Sequence, residues 1–394
     1  MRRRLPLALL LLVLLAVTFF FTGLAAVVDG RMNRLTTPPP YRASPAATEM
    51  LRRLEVVDLH ADALLWPRDL LTRNTRGHVD LPRLREGHVT LQVFSAVTKT
   101  PRGLNYERND GSTDNVTLLA MAQRYPFRAW FSLRERAQWQ AARLAAAVQE
   151  SAPPGGTPGL VLVRSVRDLD SLLAARAGGG DAPVGALLAT EGLHPLEGRL
   201  ENLDTLMAAG YRMFGFTHFF DNEVGGSAHG VAKGGLTPFG RAVVDRLDSL
   251  GGIIDLAHAS QPLLDDVLAH TRRPVVVSHT GVQGTCPGVR NLSDLQLRRI
   301  AAGGGVVGIG YWDAAVCDVS PVGVARAIAY AVRVAGDDHV ALGSDFDGAT
   351  TTPFDATGSA QLVEALQGAG LSESQIGKVM GKNALALLRR LLTP

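Results

Sequence analysis

The chain has 394 residues, 46% of them hydrophobic and 20% charged, with a formal net charge of +3. Its 40 basic residues outnumber the 37 acidic ones only by the three arginines Arg2, Arg3 and Arg4, so the body has no basic excess of the kind that binds nucleic acid. It shows no solenoid-type repeat and no long low-complexity tract, and one large domain accounts for it more economically than two.

At the amino terminus the three arginines precede an uncharged apolar stretch from Leu5 to Val28. This exceeds the ~7–15-residue core of a signal peptide and reaches the ~20 residues that span a bilayer. Residues 1–30 therefore read as an uncleaved signal anchor, a single membrane helix that leaves the arginines inside and the rest of the chain periplasmic or extracellular. The alternative is cleavage after Gly23-Leu24-Ala25-Ala26, which would secrete the same domain. Residues 31–50, with Thr36-Thr37-Pro38-Pro39-Pro40 at their centre, read as a short stiff spacer. Residues 51–394 form the main domain.

Eight short apolar runs follow: Leu54 to His60, Val89 to Val97, Gly185 to Glu191, Tyr211 to His218, Gly252 to His258, Pro274 to His279, Gly304 to Tyr311 and Val340 to Asp345. Their length and branched residues read as buried parallel strands, although periodicity alone does not separate these from buried helix segments. Helix-like stretches lie between most of them, such as Phe239 to Leu250, where apolar positions recur every three or four residues before Gly251. Ser151 to Gly159 and Gly178-Gly179-Gly180 bracket an excursion before the third run. Strands alternating with helices predict an α/β fold, a (β/α)8 TIM-type barrel, and the roughly 350 residues after the amino-terminal segment suit one barrel with insertions.

Such barrels place their chemistry at the carboxyl ends of the strands. Five runs here end in side chains that bind metals: His60-Ala61-Asp62, Glu191, His258, His279 and Asp345. His60 and Asp62 are two apart, so on a continuing strand both face one ion. A lone His-x-Asp is a weak signal, and a structural histidine is its ordinary reading. Together with Glu191, His258 and His279 it offers mixed nitrogen and oxygen donors for paired Zn²⁺, with a carboxylate able to bridge two ions. No Gly-x-Ser-x-Gly elbow supports a serine hydrolase. Cys286 and Cys317 are the only cysteines, and in an exported chain they read as a disulfide, with two buried thiols as the alternative.

From about Val56 to Leu388 the chain resembles the membrane dipeptidase family, the renal dipeptidase type of zinc peptidase. The matching stretches include Asp58-Leu59-His60-Ala61-Asp62, Thr190-Glu191-Gly192, Gly235 to Gly240, Asp255 to Ser260, Ser278-His279, Arg290-Asn291, Gly343 to Gly348 and Val379 to Ala384. The resemblance implies two zinc ions per chain, one held by His60 and Asp62 and the other by His258 and His279, with Glu191 bridging them. It implies that His218 contacts the substrate carbonyl and developing oxyanion, that Arg290 holds the substrate carboxylate, and that Asp345 moves a proton to the leaving amine. By composition alone Arg290 would read as a surface arginine. Asp347 braces the loop on this reading, and the family's bonded cysteine pair aligns with Cys286 and Cys317.

The implied activity is zinc-dependent hydrolysis of a dipeptide or other small carboxylate-bearing substrate by a water or hydroxide shared between the ions. Family members are often dimers, which makes a homodimer an expectation here. Two rivals stand beside this reading: a binuclear amidohydrolase acting on lactams, lactones or acylated amino acids, and an inactive membrane-tethered binding protein. The loop Phe219 to Gly230 departs from the better-known animal members and leaves side-chain preference open. His194 and His229, in glycine-containing loops, read as makers of local hydrogen bonds.

Overall fold

Every residue of Val89–Val97 and of Val184–Glu191 is buried, as strands covered on both faces require. The computed structural model describes residues 4–153, 156, 158–177 and 182–394. Arg2 and Arg3, part of the stretch from Ser151 to Gly159, and the Gly178-Gly179-Gly180 run lie outside the described residues.

In chain order the strands are β1 (Arg34–Leu35), β2 (Val56–Ala61), β3 (Val89–Val97), β4 (Leu160–Leu162), β5 (Val184–Glu191), β6 (Tyr211–Gly215), β7 (Ile253–Asp255), β8 (Val276–Thr280), β9 (Val306–Ile309), β10 (Val340–Leu342) and β11 (Thr351–Thr352). They pair in the order β3-β2-β10-β9-β8-β7-β6-β5, and a parallel β3–β5 ladder closes the ring. This is the expected eight-stranded (β/α)8 barrel, with β4 added on the flank of β5. The eight apolar runs all become barrel strands, but β6, β7 and β10 stop early. His218, His258 and Asp345 therefore sit three residues past their strands, on loops. His258 and Asp345 hold left-handed backbones, with φ of 61° and 60°. A non-glycine residue pays about 1 kcal/mol or more for that conformation, and such strain collects at functional sites.

Local chemistry explains the connecting helices. Pro238–Leu250 starts on Thr237, whose hydroxyl accepts from the Gly240 amide at 2.9 Å, and ends on Gly251 at φ 74°. It turns Val243, Val244 and Leu247 toward the barrel. Inside the ring, a Cβ at Gly343 would lie 1.9 Å from the Ser278 carbonyl oxygen, so only glycine lets β10 approach the strand that carries His279.

The amino-terminal stretch expected to form one membrane helix is not one continuous helix. The apolar stretch forms two helices, α1 (Arg4–Thr22) and α2 (Leu24–Met32), and no single helix among the described residues is long and apolar enough to cross a membrane. Ala8–Thr22 and Leu24–Met32 pass that test only as a pair, bent by 53°. The break falls at Gly23, where a side chain would meet the Phe19 ring at 2.9 Å. Asp29 then draws α2 onto the barrel through Arg68 at 3.1 Å. The segment read as a spacer is also packed: β1 pairs with β11, and α3 (Pro45–Arg52) buries Ala47, Met50 and Leu51.

Cys286 and Cys317 form a disulfide with Cα atoms 5.4 Å apart, joining the loop after β8 to the loop after β9. It braces the Arg290 segment, because Asn291 Nδ2 donates to the Cys286 carbonyl at 2.7 Å. Closing a loop of 31 residues stabilises the fold by ~3.5 kcal/mol on a chain-entropy basis. The double variant Cys286→Ser/Cys317→Ser should lose about that much in urea unfolding; an unchanged midpoint would show that the bridge is idle.

Candidate metal centre

Six of the eight strand ends deliver seven donors to the barrel mouth, two of them from β2. His60 is carried by β2, Glu191 ends β5 and His279 lies on β8, while Asp62, His258, His218 and Asp345 come from the turns just beyond β2, β7, β6 and β10. All seven are buried. One Glu191 oxygen, Oε1, lies 3.2 Å from His258 Nε2, 3.4 Å from His279 Nε2 and 3.5 Å from His60 Nε2. The other, Oε2, is 3.4 Å from His218 Nε2. Asp62 Oδ1 stands 3.4 Å from His60 Nε2, and Asp345 Oδ1 stands 4.0 Å from it.

Three sets of donor atoms lie within 4.8 Å of one another: His60, Asp62 and Glu191; Glu191, His258 and His279; and His60, His279 and Asp345. The first two sets share Glu191 and together contain the five residues that the resemblance implies as metal ligands. The third adds Asp345. Several of these atoms have no hydrogen-bond partner, among them His60 Nε2, Asp62 Oδ1 and Glu191 Oε2. His258 Nε2 and His279 Nε2 face each other at 3.0 Å, a contact that two neutral acceptor nitrogens cannot satisfy without a proton or a cation. Orphaned buried donors of mixed nitrogen and oxygen type fit divalent metal.

The electrostatics show the same crowding. Burial raises the Asp345 carboxyl well above the usual range despite His60 close by, with Asp62 and Glu191 adding to the rise. Burial and the Glu191 charge push Asp62 up to about 7. Burial also works to raise Glu191, but His218, His258, His279 and His60 outweigh it and hold this carboxyl well below the usual range. His258 and His279 are lowered well below the ordinary imidazole value, first by burial and then by neighbouring cations such as Arg290. Low-pKa imidazoles stay neutral, the form that ligates metal.

Behind the donors stands a second set of polar side chains that motif reading did not assign. Asp255 accepts from the Ser278 hydroxyl at 2.6 Å and the Ser278 amide at 2.8 Å, and that hydroxyl lies 2.9 Å from His279 Nδ1 and 3.3 Å from His60 Nδ1. Asp58 accepts from the Ser344 hydroxyl at 2.6 Å and from Gln92 at 2.9 Å. The Asp255–Ser278 contacts fix the His279 and His60 rings, the usual role of groups behind metal ligands, while Ser344 on Asp58 holds the His60 carbonyl at 3.1 Å. The signal was present as a carboxylate inside each of two apolar runs, since a buried acid must be partnered.

Arg290 is fully buried at the same mouth. Its Nη2 donates to the His279 carbonyl at 2.6 Å and its guanidinium lies 5.2 Å from the Trp312 ring, while Nε has no partner. Asp347 braces its loop as expected, accepting from the His78 amide at 2.7 Å and pairing with Arg68 at 2.8 Å. Neither loop histidine makes the local hydrogen bond expected of it: His229 Nδ1 lies 2.7 Å from the carbonyl of Tyr106, far away in the chain, and both ring nitrogens of His194 lack a partner while its ring packs on Phe220 at 4.4 Å. A cavity of about 430 Å³ opens onto Asp62, Glu191, His218, His258, Arg290 and Asp345, large enough for a dipeptide.

Residues 45–392 match the family model for membrane dipeptidase, peptidase family M19. The chain belongs to this family. Dipeptidase aclJ of Aspergillus oryzae is 27% identical over 86% of this chain and 79% of its own length. Among solved structures, the probable dipeptidase PvdM from Pseudomonas aeruginosa superposes with a TM-score of 0.72 at 20% identity, over 88% of this chain and 98% of that one. A metallo peptidase from Rhodobacter sphaeroides, liganded with a phosphinate mimic of the dipeptide L-Ala-D-Ala, does so with a TM-score of 0.68 at 24% identity, over 86% of this chain and 99% of that one. The protein is a metallodipeptidase, a metal-dependent hydrolase of dipeptides.

Proposed function

We propose that the chain cleaves dipeptides bearing a free carboxylate at a pair of zinc ions, with His60 and Asp62 holding one, His258 and His279 the other, and Glu191 shared. The observation that carries this reading is the single Glu191 oxygen set among three imidazole nitrogens at 3.2 to 3.5 Å. When bound, such a pair supplies Lewis acidity and an activated water. The remaining work belongs to side chains of this protein. The unpartnered Nε of Arg290 donates to the substrate carboxylate, His218 donates to the developing oxyanion, and Asp345 delivers a proton to the leaving amine. No covalent enzyme intermediate is needed.

The same reading keeps the amino terminus in contact with a membrane, supported by the apolar side chains left exposed along α1, Leu9 at 64% and Leu15 at 65% among them. The body is then held at that surface on the exported side.

Metal analysis of the purified chain, paired with hydrolysis of free dipeptides, blocked dipeptides and a β-lactam before and after chelation, tests the whole proposal. Two zinc ions per chain and chelator-sensitive cleavage of free dipeptides are expected. Bound metal with turnover of only blocked or cyclic substrates would favour the wider amidohydrolases, and a metal-free inactive protein would favour the scaffold. Arg290→Ala should raise KM for free dipeptides about 100-fold, the usual scale for stripping the partner from a buried charge. A similar change on blocked dipeptides would remove the carboxylate clamp from the mechanism.

A further inference from the structure

The cavity over the metal-binding side chains has a wall that the family model does not reach. That model starts at residue 45, yet Leu24, Val28 and Met32 of α2 line the cavity together with Asp62, Glu191 and Arg290. Val28 packs on a cluster of Leu65, Trp66, Val97 and Val116, which continues the apolar surface inward from the helix. Met32, 43% exposed, stands nearer the solvent. Phe219, from the loop that departs from better-known family members, also lines the cavity.

This wall is held in register with the reactive groups. Asp29, fully buried on α2, pairs with Arg68 at 3.1 Å, and Arg68 pairs with Asp347 at 2.8 Å, two residues beyond Asp345. Asn33 accepts from the Ala349 amide at 2.9 Å, and the Arg34 amide donates to the Thr350 carbonyl at 3.1 Å. His78 ties the two segments again, with Nε2 3.0 Å from the Arg34 carbonyl and Nδ1 accepting from the Asp347 amide at 2.9 Å. A buried arginine held between two carboxylates fixes the helix far more strictly than apolar contact alone, because separating the charges would leave them unpaired.

We propose that α2 is a specificity wall of the active site, selecting substrates that carry a large apolar side chain seated against Leu24, Val28 and Met32. This rests on the dipeptidase reading and adds the substrate class to it. The wall offers no polar side chain, so a charged substituent would lose water there without gaining a partner. A methyl group would leave most of the apolar surface uncovered, while a leucyl or phenylalanyl group would bury it.

The test uses the full-length chain in detergent. Val28→Ser should lower kcat/KM for leucyl-leucine about tenfold and for alanyl-alanine much less, the discrimination expected of a few apolar contacts. A parallel loss on both dipeptides, or no loss on either, overturns the proposal. A second measurement does not depend on turnover. Both native cysteines are locked in the disulfide, so Met32→Cys introduces a single free thiol into the wall. Its modification by a thiol reagent should be slowed by a phosphinate analogue of leucyl-leucine and hardly by that of alanyl-alanine; indifference to both overturns the wall. If the wild-type chain cleaves neither dipeptide, the dipeptidase reading is what fails, and the labelling result alone decides the role of α2.

Discussion

Glu191→Gln should strip the protein of bound zinc and lower kcat/KM for a free dipeptide about 1,000-fold or more, ~4 kcal/mol of transition-state stabilisation. The substitution keeps the shape of the side chain and changes only its charge and donors. In the native protein Oε1 is an acceptor facing three imidazole nitrogens, and Oε2 faces His218. An amide would offer either a weaker neutral oxygen or an NH₂ group that donates to those nitrogens and occupies the lone pairs a metal needs. Zinc content and steady-state kinetics on the same preparation, with circular dichroism as a check on folding, read the outcome. Full metal occupancy with undiminished turnover would end the assignment of Glu191 as the shared ligand.

Asp345→Asn should act differently. Removing a group that carries a proton costs about 10²- to 10⁴-fold in kcat, while zinc content and KM stay near wild type. The position of the side chain suits proton transfer, since it borders the cavity, stands 4.0 Å from His60 and comes from a loop held in a left-handed conformation. Asp345 also falls in a donor set with His60 and His279. Loss of one zinc equivalent in the variant would therefore make it a ligand in place of a proton carrier, and metal analysis separates the two roles.

The barrel was legible because a strand buried on both faces must be apolar along its whole length, and eight such runs stand out against polar helices. Its chemistry was legible for the same reason, since a histidine or acid that closes an apolar run is conspicuous. The family resemblance then assigned roles that spacing could not, above all to Arg290, which is ordinary in composition and becomes informative only once buried beside His279. Strand ends were read too long at His218, His258 and Asp345, because apolar residues continue into turns that are buried by the loops above them.

Sequence alone determined the fold class and the placing of His60, Asp62, Glu191, His258 and His279 at one mouth, and left the two cysteines either bonded or free. Tertiary structure decided that Asp345 joins a donor set with His60 and His279, how Asp58 and Asp255 are satisfied by Ser344 and Ser278, and where the amino-terminal helix lies. A hydropathy run reads as a membrane span wherever it occurs. That the chain bends at Gly23 and docks α2 on the active site depends on Asp29 meeting Arg68, and on Arg68 meeting Asp347. Those are charges distant in the chain whose pairing free energy exists only once the barrel has brought them together and excluded water.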